Sequence, residues 1–168
     1  MSKRIKRENH YGALLFIDLD NFKMINDIKG HSIGDIFLIE TAKRLKEVLR
    51  EEDFVARLGG DEFVILIDTK SNDKNEVIKN INIISNKILT EIRKSYLVME
   101  HNLRLTASIG IILFQENDDL DELMKYADTA MYNSKEKGRN RFSYFDPKLQ
   151  KIIEEKAYMI EKLSKAIE

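Results

Sequence analysis

Between two short apolar runs, residues 55–58 and 63–67, the chain reads Gly59-Gly60-Asp61-Glu62. Runs of that length around a glycine pair leave a β-hairpin as the local solution, with both carboxylates at its tip. Acidic residues at a tip fed by rigid strands suit a divalent metal held against phosphate oxygens. An ordinary tight turn uses the same residue types, so the hairpin alone assigns no role.

The rest of the chain supplies partners for it. Residues 13–17, Ala-Leu-Leu-Phe-Ile, form an unbroken apolar run, the pattern of a buried central strand, and it ends in Asp18-Leu19-Asp20. Residues 32–50 carry Ile33, Phe37, Leu45, Val48 and Leu49 at helical spacing, with Ser32 as the expected N-cap and Asp35 in the first turn. A second helix is expected over 75–94, a strand over 103–114, a third helix over 119–136 and a last strand over 141–145, before the only proline, Pro147. The order β-α-β-β-α-β-α-β predicts an α/β (α+β) domain with a mostly antiparallel central sheet of the split-βαβ kind, a βαββαβ core flanked by helices. In that topology the first strand lies beside the hairpin, and Asp18 converges with Asp61.

Composition narrows the function classes. At 168 residues the chain has room for one core without staples. A net charge of −1 offers no bulk attraction to a nucleic-acid polymer or an anionic membrane. The absence of cysteine excludes disulfides and thiolate metal sites and fits a cytoplasmic setting, including the cytosolic part of a larger membrane-bound protein. No apolar run reaches the roughly 18 residues of a span, so no membrane contact by this segment is expected. Lys3, Arg4, Lys6 and Arg7 read as a solvated entry to the first strand. In the tail, Ile153, Ile160 and Ile167 recur every seven residues with Leu149 and Leu163 between them, interrupted by Lys156. That pattern fits either a short coiled coil or an amphipathic helix docked on its own domain.

Asp18, the Leu19 carbonyl and Asp61 offer hard oxygen ligands of the kind Mg²⁺ or Mn²⁺ accepts beside water and substrate phosphates. A helix or turn starting at Asn21-Phe22 would aim backbone N–H groups at a phosphate chain, with Lys23 adding charge. No Gly-x-x-x-x-Gly-Lys-Ser/Thr loop is present, which disfavours a P-loop nucleotidase. Singly, each residue has a plainer reading: Asp18 as a strand-end turn residue, Lys23 as a surface lysine, Asp35 as part of a capping box with Ser32.

Together the segments are more specific. Residues 16–27 (Phe-Ile-Asp-Leu-Asp-Asn-Phe-Lys-Met-Ile-Asn-Asp), 30–35 (Gly-His-Ser-Ile-Gly-Asp), 57–63 (Arg-Leu-Gly-Gly-Asp-Glu-Phe), 106–110 (Thr-Ala-Ser-Ile-Gly) and 127–132 (Ala-Asp-Thr-Ala-Met-Tyr), then Lys135 and Gly138-Arg139-Asn140, resemble in order the GGDEF family of diguanylate cyclases. The resemblance implies a nucleotidyl-cyclase, polymerase-palm-like fold. It implies condensation of two GTP molecules into cyclic di-GMP with release of pyrophosphate, across two facing copies of the domain. Asp18, Leu19 and Asp61 would then hold the metal, and Asp61, Glu62 and Lys23 would be catalytic. Asn21, Phe22, Lys23, Asn26, His31, Asp35, Lys135 and Arg139 would bind substrate, with Asn26 and Asp35 reading the guanine edge.

Arg50-Glu51-Glu52-Asp53 resembles the family's inhibitory product site, to which Lys87 or Arg93 is expected to add a second cation. The family also has a Leu-Thr-x-Leu-Pro-Asn-Arg segment and a helix before its first strand, which this sequence lacks. The expectation is therefore an excised catalytic domain, residues 1–146, with a linker helix over 147–168. An upstream sensor and a downstream EAL phosphodiesterase domain would complete the longer protein. The alternative is a catalytically weak GTP- or cyclic di-GMP-binding domain that regulates such a phosphodiesterase.

Overall fold

The computed structural model describes residues 9–167; the expected basic entry at Lys3, Arg4, Lys6 and Arg7 lies outside them. The elements run β1 (Tyr11–Leu19), α1 (Phe22–Lys29), α2 (His31–Val48), β2 (Phe54–Gly59), β3 (Glu62–Ser71), α3 (Lys74–Arg93), β4 (Tyr96–Val98), β5 (His101–Leu103), β6 (Ala107–Phe114), α4 (Leu120–Glu136), β7 (Arg141–Tyr144) and α5 (Pro147–Ile167). Five strands form one sheet in the order β2-β3-β1-β6-β7, antiparallel throughout except for the β6–β7 pair. The α+β architecture with a mostly antiparallel sheet is as the pattern predicts.

β1 is central because both its faces are apolar. Ala13, Leu15, Ile17 and Leu19 turn to the larger core, shared with α1, α2 and α3. Leu14 and Phe16 turn to a smaller core with Val64 and the α4 residues Leu123, Ala127 and Met131. Each such side chain contributes about 1.5–3 kcal/mol by leaving water, so β1 is anchored from both sides. Alternation then puts Asp18 on the α4 face. Gly110 lets α4 lie close: a Cβ there would come within 1.9 Å of the Ala127 carbonyl oxygen. That close approach carries the C-terminal end of α4 over the end of β1.

Three expectations need correction. Ser32 does not cap the second helix: α2 starts at His31 with Gly30 as its N-cap and no side-chain cap bond. Gly30, at φ 89°, lets α1 end and α2 begin within one residue, so Ser32 is already helical and Asp35 falls beyond the first turn. No capping box forms between them. Secondly, the expected strand over 103–114 is broken. Leu103 pairs back to Tyr96 in a separate two-stranded ribbon, and regular pairing resumes only at Ala107. Tyr96 draws the ribbon to α2: its ring centroid lies 4.1 Å from that of Phe37, and the Arg44 guanidinium sits over the Tyr96 ring, 3.5 Å from its centroid. Arg44 also donates to the Glu91, Lys94 and Ser95 carbonyls at the end of α3. Thirdly, α5 begins at Pro147, a first-turn position proline favours. Its Ile160 and Leu163 are exposed, so at these positions the helix does not dock on its own domain.

Candidate functional site

The site gathers at the C-terminal end of β1. In the β1–β3 ladder Asp18 stands opposite Glu62, which places their side chains on one face of the sheet, and on the other side Asp18 pairs with Ser108 of β6. The Leu19 N–H donates to the Asp61 carbonyl at 3.2 Å, fastening the hairpin tip to the strand end. The β2–β3 turn itself slips register between Arg57 and Gly59, and Gly60 has φ 51°. Asp18 and Asp61 therefore converge, as the topology predicts.

The electrostatics follow from the geometry. Burial pushes the Asp18 carboxyl above its ordinary range, and the nearby Asp61 charge adds to this, while a hydrogen bond from Lys135 opposes it. Lys135, from the last turn of α4, reaches Asp18 Oδ1 at 2.8 Å. Burial likewise raises Glu62, aided by the charges of Asp18, Asp128 and Asp61. Burial also raises Asp128, about two helical turns before Lys135 on the same face of α4. The result is a pocket of carboxylates in which one lysine supplies the positive charge closest to Asp18. Among the described residues no group of three or more His, Cys, Asp or Glu side chains forms a metal cage. Mg²⁺ does not require one, because it binds through one or two carboxylates, water and substrate phosphates. The all-oxygen donors at Asp18, Leu19 and Asp61 fit that demand.

The residues expected at the nucleoside end lie on α1 and α2 or at their starts. Asn21 caps α1 in the left-handed conformation, φ 60°, with no side-chain cap bond, and the Phe22 ring is buried near Phe37. Phe22 can therefore meet a ligand only through its backbone. Lys23, His31 and Asp35 are exposed. Asn26 packs against Gly34 so closely that a Cβ there would come within 1.8 Å of Asn26 Oδ1, and this buried oxygen has no hydrogen-bond partner.

Asp20 and Asp128 are functional-region residues that the sequence reading did not single out. Asp20, 2% exposed, accepts from Thr106 Oγ1 at 2.6 Å, Ser108 Oγ at 2.7 Å and the Asn140 N–H at 3.2 Å. Its donors lie 86 to 120 positions along the chain, beyond the reach of local pattern. Arg139 is exposed at φ 63° in the turn after α4.

At Arg50 and Asp53 the chain closes a turn: the Arg50 N–H donates to Asp53 Oδ2 at 2.9 Å, and the Asp53 N–H to the Arg50 carbonyl at 3.1 Å. The other carboxylate oxygen, Asp53 Oδ1, is buried without a partner. A depression of about 490 Å³ there is lined by Lys46, Arg50 and Asp53 among others. The second cation at this place is Lys46 of α2. Arg93 instead lines a separate depression with Arg44 and Arg104, and Lys87 lines neither.

Comparison with known proteins agrees with this layout. The family described as "Diguanylate cyclase, GGDEF domain" matches residues 1–141, and the chain belongs to the GGDEF family. It is 37% identical over 163 residues to the bifunctional diguanylate cyclase/cyclic di-GMP phosphodiesterase MucR of Pseudomonas aeruginosa, covering 96% of this chain and 23% of that protein. The chain thus spans about a quarter of that relative's length. Among solved structures, the GGDEF domain of YfiN from Pseudomonas aeruginosa superposes with a TM-score of 0.73 at 35% identity, covering 82% of this chain and 83% of that one. The GGDEF domain of DgcB from Caulobacter crescentus, solved in complex with c-di-GMP, gives 0.69 at 26% identity, covering 80% and 78%. No helix among the described residues is long and apolar enough to cross a membrane.

Proposed function

We propose that this domain is a diguanylate cyclase that condenses two GTP molecules into cyclic di-GMP across a pair of facing copies. The observation that carries the reading is the convergence of Asp18, Asp61 and Glu62 at one strand end, with Lys135 bonded to Asp18. In each of two steps a ribose 3′-hydroxyl attacks an α-phosphorus, the bond to the bridging oxygen breaks, and pyrophosphate leaves. The hydroxyl on one copy and the α-phosphate on the other account for the need for two domains.

Asp18, the Leu19 carbonyl and Asp61 would hold Mg²⁺ or Mn²⁺. The ion, when bound, neutralises phosphate charge and lowers the pKa of a coordinated hydroxyl. Asp61 and Glu62 stand where a proton from the attacking hydroxyl can be received. The raised Glu62 carboxyl suits that task better than an ordinary surface glutamate. Lys23, Lys135 and Arg139 meet the triphosphate, and the backbone N–H groups from Asn21 and Phe22 onward face it at the start of α1. Asn26 and Asp35, with His31 beside them, take the guanine edge, where amide and carboxylate supply the matching donor and acceptor. The Arg50–Asp53 turn would bind product, since the unpartnered Asp53 oxygen is an acceptor awaiting a guanine N–H and Arg50 and Lys46 favour phosphate.

The test is to incubate the chain with GTP and Mg²⁺ at high protein concentration, with copies also joined by a dimerising tag, and to separate the nucleotides by chromatography. Cyclic di-GMP with two pyrophosphates per product, undiminished by excess ATP, is the expected result. No product even from joined copies overturns the cyclase reading. A second reading, a GTP- or cyclic di-GMP-binding domain that regulates a neighbouring phosphodiesterase, draws on the bifunctional name of the longer MucR. Nucleotide retention without turnover would favour it. Upstream sensor and downstream EAL domains belong to either reading. Arg50→Ala should relieve product inhibition with GTP affinity unchanged; inhibition that persists removes the Arg50–Asp53 turn from the account.

A further inference from the structure

Asp20 lies between a proposed metal-holding carbonyl and the start of α1, yet its carboxylate faces neither cation nor nucleotide. Both oxygens are taken: Oδ1 by the Ser108 hydroxyl, Oδ2 by the Thr106 hydroxyl and the Asn140 N–H. The Asp20 N–H in turn donates to the Thr106 carbonyl at 2.8 Å. With 2% exposure and both oxygens bonded, this carboxylate is a strut between three segments.

The third segment needs such support. α4 closes with paired end bonds, Arg139 N–H to the Ser134 carbonyl at 3.0 Å and Gly138 N–H to the Lys135 carbonyl at 3.2 Å. Gly138 takes the left-handed position that this closure requires, φ 111°. The chain then keeps positive φ for two further non-glycine residues, Arg139 at 63° and Asn140 at 47°. Left-handed backbone at residues with a Cβ is sterically disfavoured and persists only where the surroundings over-determine it. The bond from the Asn140 N–H to Asp20 is such a determinant, and it comes from a side chain whose other bonds fix it rigidly.

We propose that Asp20 is a positioning residue of the cyclase site, clamping the turn at residues 138–140 so that Lys135 and Arg139 are held at the end of β1. This rests on the cyclase reading for its consequence, though the clamp itself does not. Lys135 lies one helical turn before Arg139 and reaches Asp18 from the same end of α4, so loosening the turn moves both cations relative to the carboxylates. Misplacement by about 1 Å is enough to cost 10²-fold in rate. The guanine end, on α1 and α2, is untouched by it.

The experiment compares Asp20→Asn with the parent chain, below the melting temperature of both, in cyclic di-GMP synthesis and in trypsin cleavage after Lys137 and Arg139 without nucleotide. The expected result is a fall in kcat of about 100-fold with KM for GTP within about threefold, and cleavage at least tenfold faster. In a background carrying both Lys135→Ala and Arg139→Ala the same change should cost less than about threefold, because its effect passes through those two cations. A kcat per folded molecule within threefold of the parent, or the full penalty persisting without both cations, overturns the positioning role. Should Asp20→Asn fold poorly, Ser108→Ala and Thr106→Val combined remove two struts and leave the carboxylate, and a smaller change in the same direction is required. If the parent makes no product, the cyclase reading fails by that result alone. The clamp is then decided by cleavage, and an unchanged rate rejects it.

Discussion

Two turns flank the C-terminal end of β1, and they are held in opposite ways. The β2–β3 turn carries the half-buried Asp61 beside an exposed glycine pair and is held through its carbonyls: Arg57 Nε donates to that of Gly60 at 2.9 Å, and the Leu19 N–H to that of Asp61. Around Gly59 and Gly60 there is open space. The α4–β7 turn instead hangs from a buried carboxylate on a distant strand, and serine hydroxyls reinforce it, Ser134 donating to the Ile109 carbonyl at 2.8 Å. The first turn can change its side chains without disturbing the fold. The second cannot, because its shape and the packing beneath it share the same hydrogen bonds. The carboxylate proposed to meet exchangeable ligands sits on the former, and the cations proposed to keep register with it sit at the latter.

The sharpest test of that contrast is Asp61→Ala. Turnover should fall at least about 10³-fold, the scale of losing a group that acts on the transition state. The melting temperature should stay within about 2 °C, because a loop-tip carboxylate contributes little packing. A large thermal loss would show that the tip is structural after all. Next in size, Asp20→Ala should destabilise the chain by about 3 kcal/mol in denaturant titration, since the buried Ser108 hydroxyl, the half-buried Thr106 hydroxyl and the Asn140 N–H lose their acceptor. A loss below about 1 kcal/mol would mean that water replaces the strut and would erase the distinction between the turns. Gly60→Ala should cost about 1 kcal/mol, through its left-handed φ alone, with no clash to add.

The smallest effect concerns the carboxylate between the turns. Burial is the main cause that holds the Asp18 carboxyl above the ordinary aspartate range, so its ionisation opposes folding at neutral pH. The penalty shrinks as pH falls through the raised value and is gone below the unfolded one. Asp18→Asn should therefore raise the melting temperature by roughly 2 °C at pH 7.5, with the gain vanishing toward pH 4. A loss at neutral pH would mean that the Lys135 pair outweighs burial.

How much could be read beforehand differs between the same two regions. The hairpin was legible because its instructions are local: a glycine pair between apolar runs, two acids at the tip. The pairing of β1 with β3 followed from topology, and with it the meeting of Asp18 and Asp61. The break before Ala107 was not legible, because Arg104-Leu105-Thr106 has strand-compatible composition and Thr106 turns aside only to bond Asp20. Nor was the false cap at Ser32, since Gly30 decides the boundary by a backbone conformation that a serine nearby cannot reveal. A second cation for Arg50 is expected on the following helix, while the depression beside Arg50 is lined by Lys46 of the preceding one, a neighbour that packing decides.

By itself the sequence determined what is written in short-range spacing: the order of strands and helices, the apolar core strand, the acidic hairpin tip and the family they signal. Only the tertiary structure decided which cation answers which carboxylate, Lys135 for Asp18, and which buried acid has both oxygens bonded within the fold. Asp18 and Asp20 differ by two positions and are the same residue. Their roles separate because strand alternation and distant donors, brought near only by folding, satisfy one carboxylate completely and leave the other with charge to be met.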